Sequence, residues 1–355
     1  MTQATPAEQR RQLAAQRRKV DFDTYDVTVD ELLRRVARRR IDVAPIYQRQ
    51  FRWDVARQSR LVESVMLGIP VPPLFMATNS AENMQNQWEV VDGLQRLLTL
   101  VNFAGDSKAR ESVGIDQSAL TLKDLEKLST FDGHEFEDLP DDIRTAFEDR
   151  PLKVVVLNDK SDLQVRYDLF ERLNTGGISL TAQEIRECVF RGPFIDMLSR
   201  LSETDEFRTV VVLPEARMKD GTPQDYILRF FAFLERYQQF DHSVQDFLNE
   251  YIKDSYQDPR EKRRTAIFLR TFAFLSLVFP DGIRSRLNQT PVNLFEALTV
   301  GAALALQRAS DLQPPRSTDW VTSDDLRSMT TGATNSRPKV RGRIEYCRDR
   351  FLARR

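Results

Sequence analysis

Residues 88–99, Trp-Glu-Val-Val-Asp-Gly-Leu-Gln-Arg-Leu-Leu-Thr, join an apolar strand-like run to a helix-like run that continues from Arg96 to Phe103. The apolar pattern changes at Asp92-Gly93, which predicts a strand-to-helix corner and a first half that mixes sheet and helix. Free backbone N–H groups at a helix start, with the guanidinium of Arg96 beside them, make a seat for phosphate. Gly93 would let the backbone approach a ligand closely, and Asp92 can hold a metal ion or orient water. The same residues also read as a hairpin-like turn before an amphipathic helix, and spacing alone does not separate the two readings.

Working outward, the chain punctuates itself clearly. Thr28 and Glu31 have capping-box spacing and predict a helix from Val29 to about Arg39. A short strand over Ile41–Ala44 leads to Tyr47-Gln48-Arg49-Gln50-Phe51-Arg52-Trp53; Asp54 can cap the next helix, which Gly68 ends. Ile69-Pro70-Val71-Pro72-Pro73 is a rigid connector into a strand at Leu74–Ala77. Between Gly105 and Arg150 the sequence is polar and acidic and reads as short helices and loops. Leu152–Leu157 is a β-branched apolar run that predicts a buried strand. A helix with a Tyr167, Phe170, Leu173 stripe ends at Asn174-Thr175-Gly176-Gly177, and Thr181 with Glu184 starts another. Beyond Pro193 the pattern is helical, with long apolar segments at Tyr226–Leu234, Ala266–Phe279 and Leu294–Leu306. We divide the chain into a basic tail (1–22), a mixed domain (23–192) and a helical domain with a basic C-terminal segment (193–355).

Composition narrows the function. At 355 residues the chain can bury a sizeable core, and 41% hydrophobic with 30% charged residues is the balance of a globular protein. No apolar stretch is long enough to span a membrane, and the polar N-terminus lacks the apolar core of a secretory signal, so a cytoplasmic protein is expected. Cys188 and Cys347 lie far apart and give neither a disulfide framework nor a metal knuckle. The net charge of -1 hides segregation: Arg10, Arg11, Arg17, Arg18 and Lys19 open the chain, and Arg34, Arg35, Arg38, Arg39 and Arg40 follow. Residues 337–355 carry eight further basic side chains, against an acidic stretch at Asp132–Asp142. Such clusters either track a phosphate backbone or form solvated helix faces.

Three clusters place polar donors between aromatics and glycines: Tyr47-Gln48-Arg49 with Phe51 and Trp53, the Asp92–Arg96 corner, and Phe170–Gly177 with Leu180, Glu184 and Arg186. Arg49 and Gln48 can bond phosphates or base edges, or belong to a structural loop. Asn174, Gly176 and Gly177 read as a helix C-cap and turn, or as a loop folding over a ligand. In order and spacing the three clusters, covering about Asp26–Arg191, resemble the DUF262 family, the GmrSD-type N-terminal domain related to the ParB/sulfiredoxin fold. The resemblance implies an α+β, ParB/sulfiredoxin-like N-terminal domain, here followed by an all-helical C-terminal domain. It also implies a bacterial restriction or anti-phage system in which such domains bind and hydrolyse nucleoside triphosphates and sense modified DNA.

Carried over residue by residue, Asp92, Gly93, Gln95 and Arg96 match the family's Asp-Gly-Gln-Gln-Arg signature. Leu94 replaces its first glutamine and cannot orient water or donate to oxygen. The resemblance implies that Arg96 and the amides near Gly93 grip phosphates, that Asp92 holds Mg²⁺ or the attacking water, and that Gln95 orients the γ-phosphate or water. Asn174, Gly176 and Gly177 would close over the nucleotide, whose base the sequence does not name. Tyr47, Gln48 and Arg49 would face the nucleotide or, with the terminal basic segments, the DNA. His134 and His242 alone cannot assemble a histidine–metal nuclease, so cleavage is expected from a separate effector protein. A nuclease in the helical half, using Arg236 and His242 at a ribonuclease-like spacing, is the rival reading. A non-hydrolysing nucleotide- or DNA-binding module is the other, and self-association into a homo-oligomer is compatible with all three.

Overall fold

The computed structural model describes residues 5–16, 21–43, 53–78, 87–116, 118–158, 167–169, 171–172, 181–190, 192–284, 288–309, 311–332 and 334–353. The chain packs as two compact units, Met1–Ser179 and Leu180–Arg355.

The first unit opens with an exposed helix, α1 (Pro6–Gln16), and is built on strands β1 (Phe22–Thr28), β2 (Ile41–Asp42), β3 (Leu74–Thr78), β4 (Trp88–Asp92) and β5 (Pro151–Leu157). They form one mixed sheet in the order β1-β5-β3-β4-β2. β1 runs antiparallel to β5 and β3 antiparallel to β4, while β3–β5 and β2–β4 are parallel. Helices α2 (Val29–Ala37), α3 (Val55–Met66) and α4 (Leu94–Ala104) add their apolar faces to a core shared with Leu74, Met76, Val90, Val154 and Val156. The expected caps are present: Thr28 accepts from the Glu31 amide, and Asp54 from the Arg57 amide. Glu31, however, turns its carboxylate to Arg35 instead of completing the box.

The polar stretch after Gly105 holds α5 (Ser107–Ser112), two single 3₁₀ turns and α6 (Asp141–Glu148), as its composition suggested. It also supplies core that the sequence did not announce: Leu120, Leu122, Leu125, Phe136 and Phe147 are buried. Phe103, Phe136 and Phe147 meet with centroids 5.4–5.8 Å apart. Buried Glu63 of α3 fixes this loop by accepting from the amides of Glu126, Lys127 and Leu128 at 3.3, 2.6 and 2.8 Å. Burial alone would raise its pKa, but these three N–H donors more than offset it and hold the carboxyl below its usual range.

The second unit is helical: α7 (Ala182–Val189), α8 (Pro193–Ser202), α9 (Asp205–Val210), α10 (Glu215–Met218), α11 (Thr222–Arg236), α12 (Val244–Ser255), α13 (Glu261–Val278), α14 (Val292–Arg308), α15 (Asp324–Thr330) and α16 (Arg337–Leu352). The long apolar segments are its core helices α11, α13 and α14, and Phe230, Phe268 and Phe272 are fully buried with Phe268 stacked on Phe272 at 4.1 Å. At Gly301 of α14 a Cβ would lie 2.6 Å from Cys347 Cβ, so glycine permits the close approach of α16. An α+β unit followed by a helical one is the architecture the sequence implied.

Two polar stretches of the C-terminal part are occupied within the fold. Ahead of the last helix Thr334 is buried, its hydroxyl accepts from Asn293 at 2.9 Å and its carbonyl from Arg343 at 3.0 Å. Much of the basic C-terminal segment is also occupied within the fold. Arg343 is buried against Glu296, Arg337 and Arg341 donate to the carbonyls of Phe240 and Gln238, and Arg348 pairs with Asp349. The remaining described members, Lys339 and Arg350, are too few to track a phosphate backbone as a continuous stripe.

Candidate functional site

Strand β4 ends at Asp92 and helix α4 begins at Leu94, so the corner falls where the sequence put it. Gly93 is the N-cap, at φ +94°, a left-handed conformation that other residues adopt at a cost. No side chain caps the helix start. The space above Gly93 is filled by the protein itself: a Cβ there would lie 2.5 Å from Leu74 Cδ2 and 2.9 Å from Arg96 Nη2. Glycine thus makes room for Arg96 to fold back over the corner.

Arg96 is held from several sides. Its Nη2 donates to Asp92 Oδ2 at 2.7 Å and to the Pro73 carbonyl at 3.1 Å, closing the corner onto the strand that follows the proline connector. Its side chain is 16% exposed, against 39% for Asp92. The stem borders an apolar cavity of about 10 Å³ with Leu61, Val65, Leu74 and Leu100. Arg96 Nε is buried and has no hydrogen-bond partner among the described residues, a state that ordinarily costs on the order of 1–3 kcal/mol. Asp92 spends only Oδ2 on Arg96; Oδ1 accepts no hydrogen bond among the described residues.

Gln95 reaches away from the corner. Its Oε1 accepts from the Trp53 amide at 3.2 Å, so this oxygen is engaged in tethering backbone. That bond ties the corner to Trp53, four residues beyond Arg49 in the sequence. A buried layer that sequence reading missed lies beneath it: Gln58 Nε2 donates to the Trp53 carbonyl at 2.9 Å, and Asn102 Nδ2 to Gln58 Oε1 at 3.0 Å. The signal was available, because Gln58 and Asn102 fall on the helical faces that α3 and α4 bury. Leu94, in place of the family glutamine, packs against the core.

Asp92, Gly93, Gln95 and Arg96 are therefore gathered at one corner, although Gln95 faces Trp53. Tyr47, Gln48, Arg49, Asn174, Gly176 and Gly177 lie outside the described residues. Glu184 and Arg186 belong to the second unit: Glu184 completes a capping box with Thr181, and Arg186 is buried against Asn249 and Asp225. Arg236 is paired with Asp254 and lies over the Tyr251 ring, whereas His242 is 80% exposed beside Asp241. No contact among the described residues brings Arg236 and His242 together. His134 is exposed, its Nδ1 3.3 Å from the Asp132 carbonyl. Among the described residues no group of three or more His, Cys, Asp or Glu side chains could hold a metal ion, and no helix is long and apolar enough to cross a membrane. A cation at Asp92 would thus rest on one carboxylate and on oxygens its ligand brings, an arrangement Mg²⁺ accepts with phosphates.

Residues 29–191 match the family described as GmrSD restriction endonuclease, N-terminal domain. No curated protein and no solved structure gave a match. The matched span holds strands β2 to β5, the glycine corner and the Trp53 tether, so this segment of the chain is similar to a GmrSD-type N-terminal domain.

Proposed function

We propose that this protein is the nucleotide-binding, DNA-sensing component of a restriction or anti-phage system, and that a separate effector protein performs the cleavage. The observation that carries the reading is the Trp53–Gln95 hydrogen bond, which joins the start of the glycine-cornered helix to the chain following Tyr47–Arg49. Two of the three family motifs thereby meet. The uncapped first turn of α4, with Asp92 and Arg96 on its threshold, offers N–H donors and one guanidinium to the phosphates of a nucleoside triphosphate. Asp92, through its unspent Oδ1, would hold Mg²⁺, which supplies charge neutralisation on the phosphates. Asn174, Gly176 and Gly177 would close over the nucleotide, and Arg49 would meet DNA.

A specific observation favours a second reading, binding without turnover. Leu94 turns toward the core and leaves the corner without its first glutamine, and the side-chain Oε1 of Gln95 accepts from the Trp53 amide. The nucleotide would then act as a switch.

Phosphate release from ATP, GTP, CTP and UTP, with Mg²⁺, with and without DNA, tests both. DNA-stimulated release by the native chain, lost in Asp92→Asn, supports hydrolysis. In the switch reading the native chain binds nucleotide with release near background, and Leu94→Gln raises release at least tenfold. Absence of both binding and release for every nucleotide, in the native chain and in Leu94→Gln, refutes a nucleotide site at this corner.

A further inference from the structure

The helical unit contains a polar cavity of about 770 Å³, within the roughly 300–1,000 Å³ range of small-molecule sites. Arg186, Arg217 and Arg229 line it, and Asp225 is the one carboxylate among its described lining residues. Four helices begin at its wall: α7 at Thr181–Gln183, α11 at Thr222, α12 at Ser243–Gln245 and α14 at Pro291–Val292. Each helix start carries the positive end of its peptide dipoles, so the convergence adds to the charge of the arginines. Three of these starts are partly satisfied, by Thr181, Ser243 and, at Thr222 N, by Asp220. The start of α14 has no side-chain cap.

The arginines are presented by a buried relay. Arg186 donates to Asp225 at 3.1 Å, Arg229 to Asp225 at 2.6 Å and to Glu296 at 2.9 Å, and Arg343 to Glu296 from behind. Within it three guanidiniums share two carboxylates. Arg229 spends Nε and Nη1 on these bonds, and Nη2 bonds nothing among the described residues. Arg217 is 63% exposed and only loosely held by Asp220 at 3.9 Å, leaving a movable cation on the wall. Gln183, Gln245, Gln289 and Asn335 add uncharged donors and acceptors.

We propose that this cavity binds a phosphate-bearing small molecule of nucleotide size, as an effector site separate from the Asp92–Arg96 corner. Converging amide dipoles and guanidiniums suit a polyanion with several oxygens, and the side-chain amides suit the hydroxyls or ring edges attached to it. The site is independent of whether the corner binds nucleotide, because every residue that lines it belongs to the helical unit.

Titration calorimetry on the full chain tests this with inorganic pyrophosphate, the four ribonucleoside 5′-monophosphates and citrate as a carboxylate polyanion. Saturable binding of at least one phosphate probe is expected. Arg217→Glu should weaken it about tenfold or more, the scale of a charge-assisted hydrogen bond, with the unliganded melting temperature unchanged. Arg229→Lys, which keeps charge but loses the planar fork, should weaken it too. Pyrophosphate alone binding would mark a diphosphate site, and nucleotides binding more tightly would mark an organophosphate site. Either result supports the proposal if one of the two variants weakens it. No saturable binding, binding indifferent to both substitutions, or citrate binding as tightly as every phosphate probe would overturn it.

Discussion

Glu296 is the keystone of the buried relay, and Glu296→Gln tests whether the ion pairs hold the helical unit together. The carboxylate is 1% exposed and accepts from Arg229 Nη1 at 2.9 Å and from Arg343 Nη2, whose side chain is fully buried. Glutamine preserves the shape and one acceptor oxygen, but it turns an N–H₂ toward the second guanidinium, donor against donor. Arg229 keeps its bond to Asp225, but fully buried Arg343 loses its carboxylate partner, and breaking such a pair costs about 3–5 kcal/mol. Arg343→Met in the same chain removes the stranded charge. The double variant should therefore cost less than the two single changes added together, by roughly 1–3 kcal/mol of coupling. Urea unfolding followed by far-ultraviolet circular dichroism and by tryptophan fluorescence measures this. Trp320 packs on Tyr346 and Phe351 of the helix that carries Arg343, and so reports the right transition. A cost below about 1 kcal/mol for Glu296→Gln, or strict additivity with Arg343→Met, would refute the reasoning and mean that the relay is solvated.

Gly93→Ala should destabilise the first unit by about 2–4 kcal/mol, the left-handed backbone cost plus displacement of Leu74 and Arg96; a thermal melt indistinguishable from native would show that the corner relaxes freely. The helical unit should lose stability in acid. Burial alone would raise the pKa of Asp225, but Arg229 and Arg186 more than offset it and hold the carboxyl below its usual range. A depressed carboxyl contributes stability that is present above its unfolded pKa of about 3.9 and is lost as pH falls through the lower folded value. The urea midpoint of the helical transition should therefore drop across that window, and Asp225→Asn, already destabilised near neutrality, should show a smaller drop.

What could be read from the sequence followed local rules. Strands with alternating burial, such as Leu152, Val154 and Val156, and helix starts at Thr28, Asp54 and Thr181 depend on a few neighbouring residues, and they stand where expected. The loop-supplied core did not, because Leu120, Leu122, Leu125 and Phe136 have no helical or strand period. Their burial depends on Glu63 satisfying three amides from another element. The relay was hidden for a related reason: Arg186, Asp225, Arg229, Glu296 and Arg343 each look like surface charge until tertiary packing brings them together. The Asp92–Arg96 corner carries the sharpest lesson. A carboxylate and a guanidinium four residues apart satisfy both a ligand signature and an ordinary helical ion pair. Here the pair is closed on itself and Arg96 is further committed to the Pro73 carbonyl, so any phosphate that lands must compete with those bonds. In the helical unit, by contrast, Arg229 keeps an Nη2 that bonds nothing among the described residues, and it lines a cavity at which four helices begin. On that ground the cavity is better prepared for an anion than the corner, whose guanidinium is already engaged.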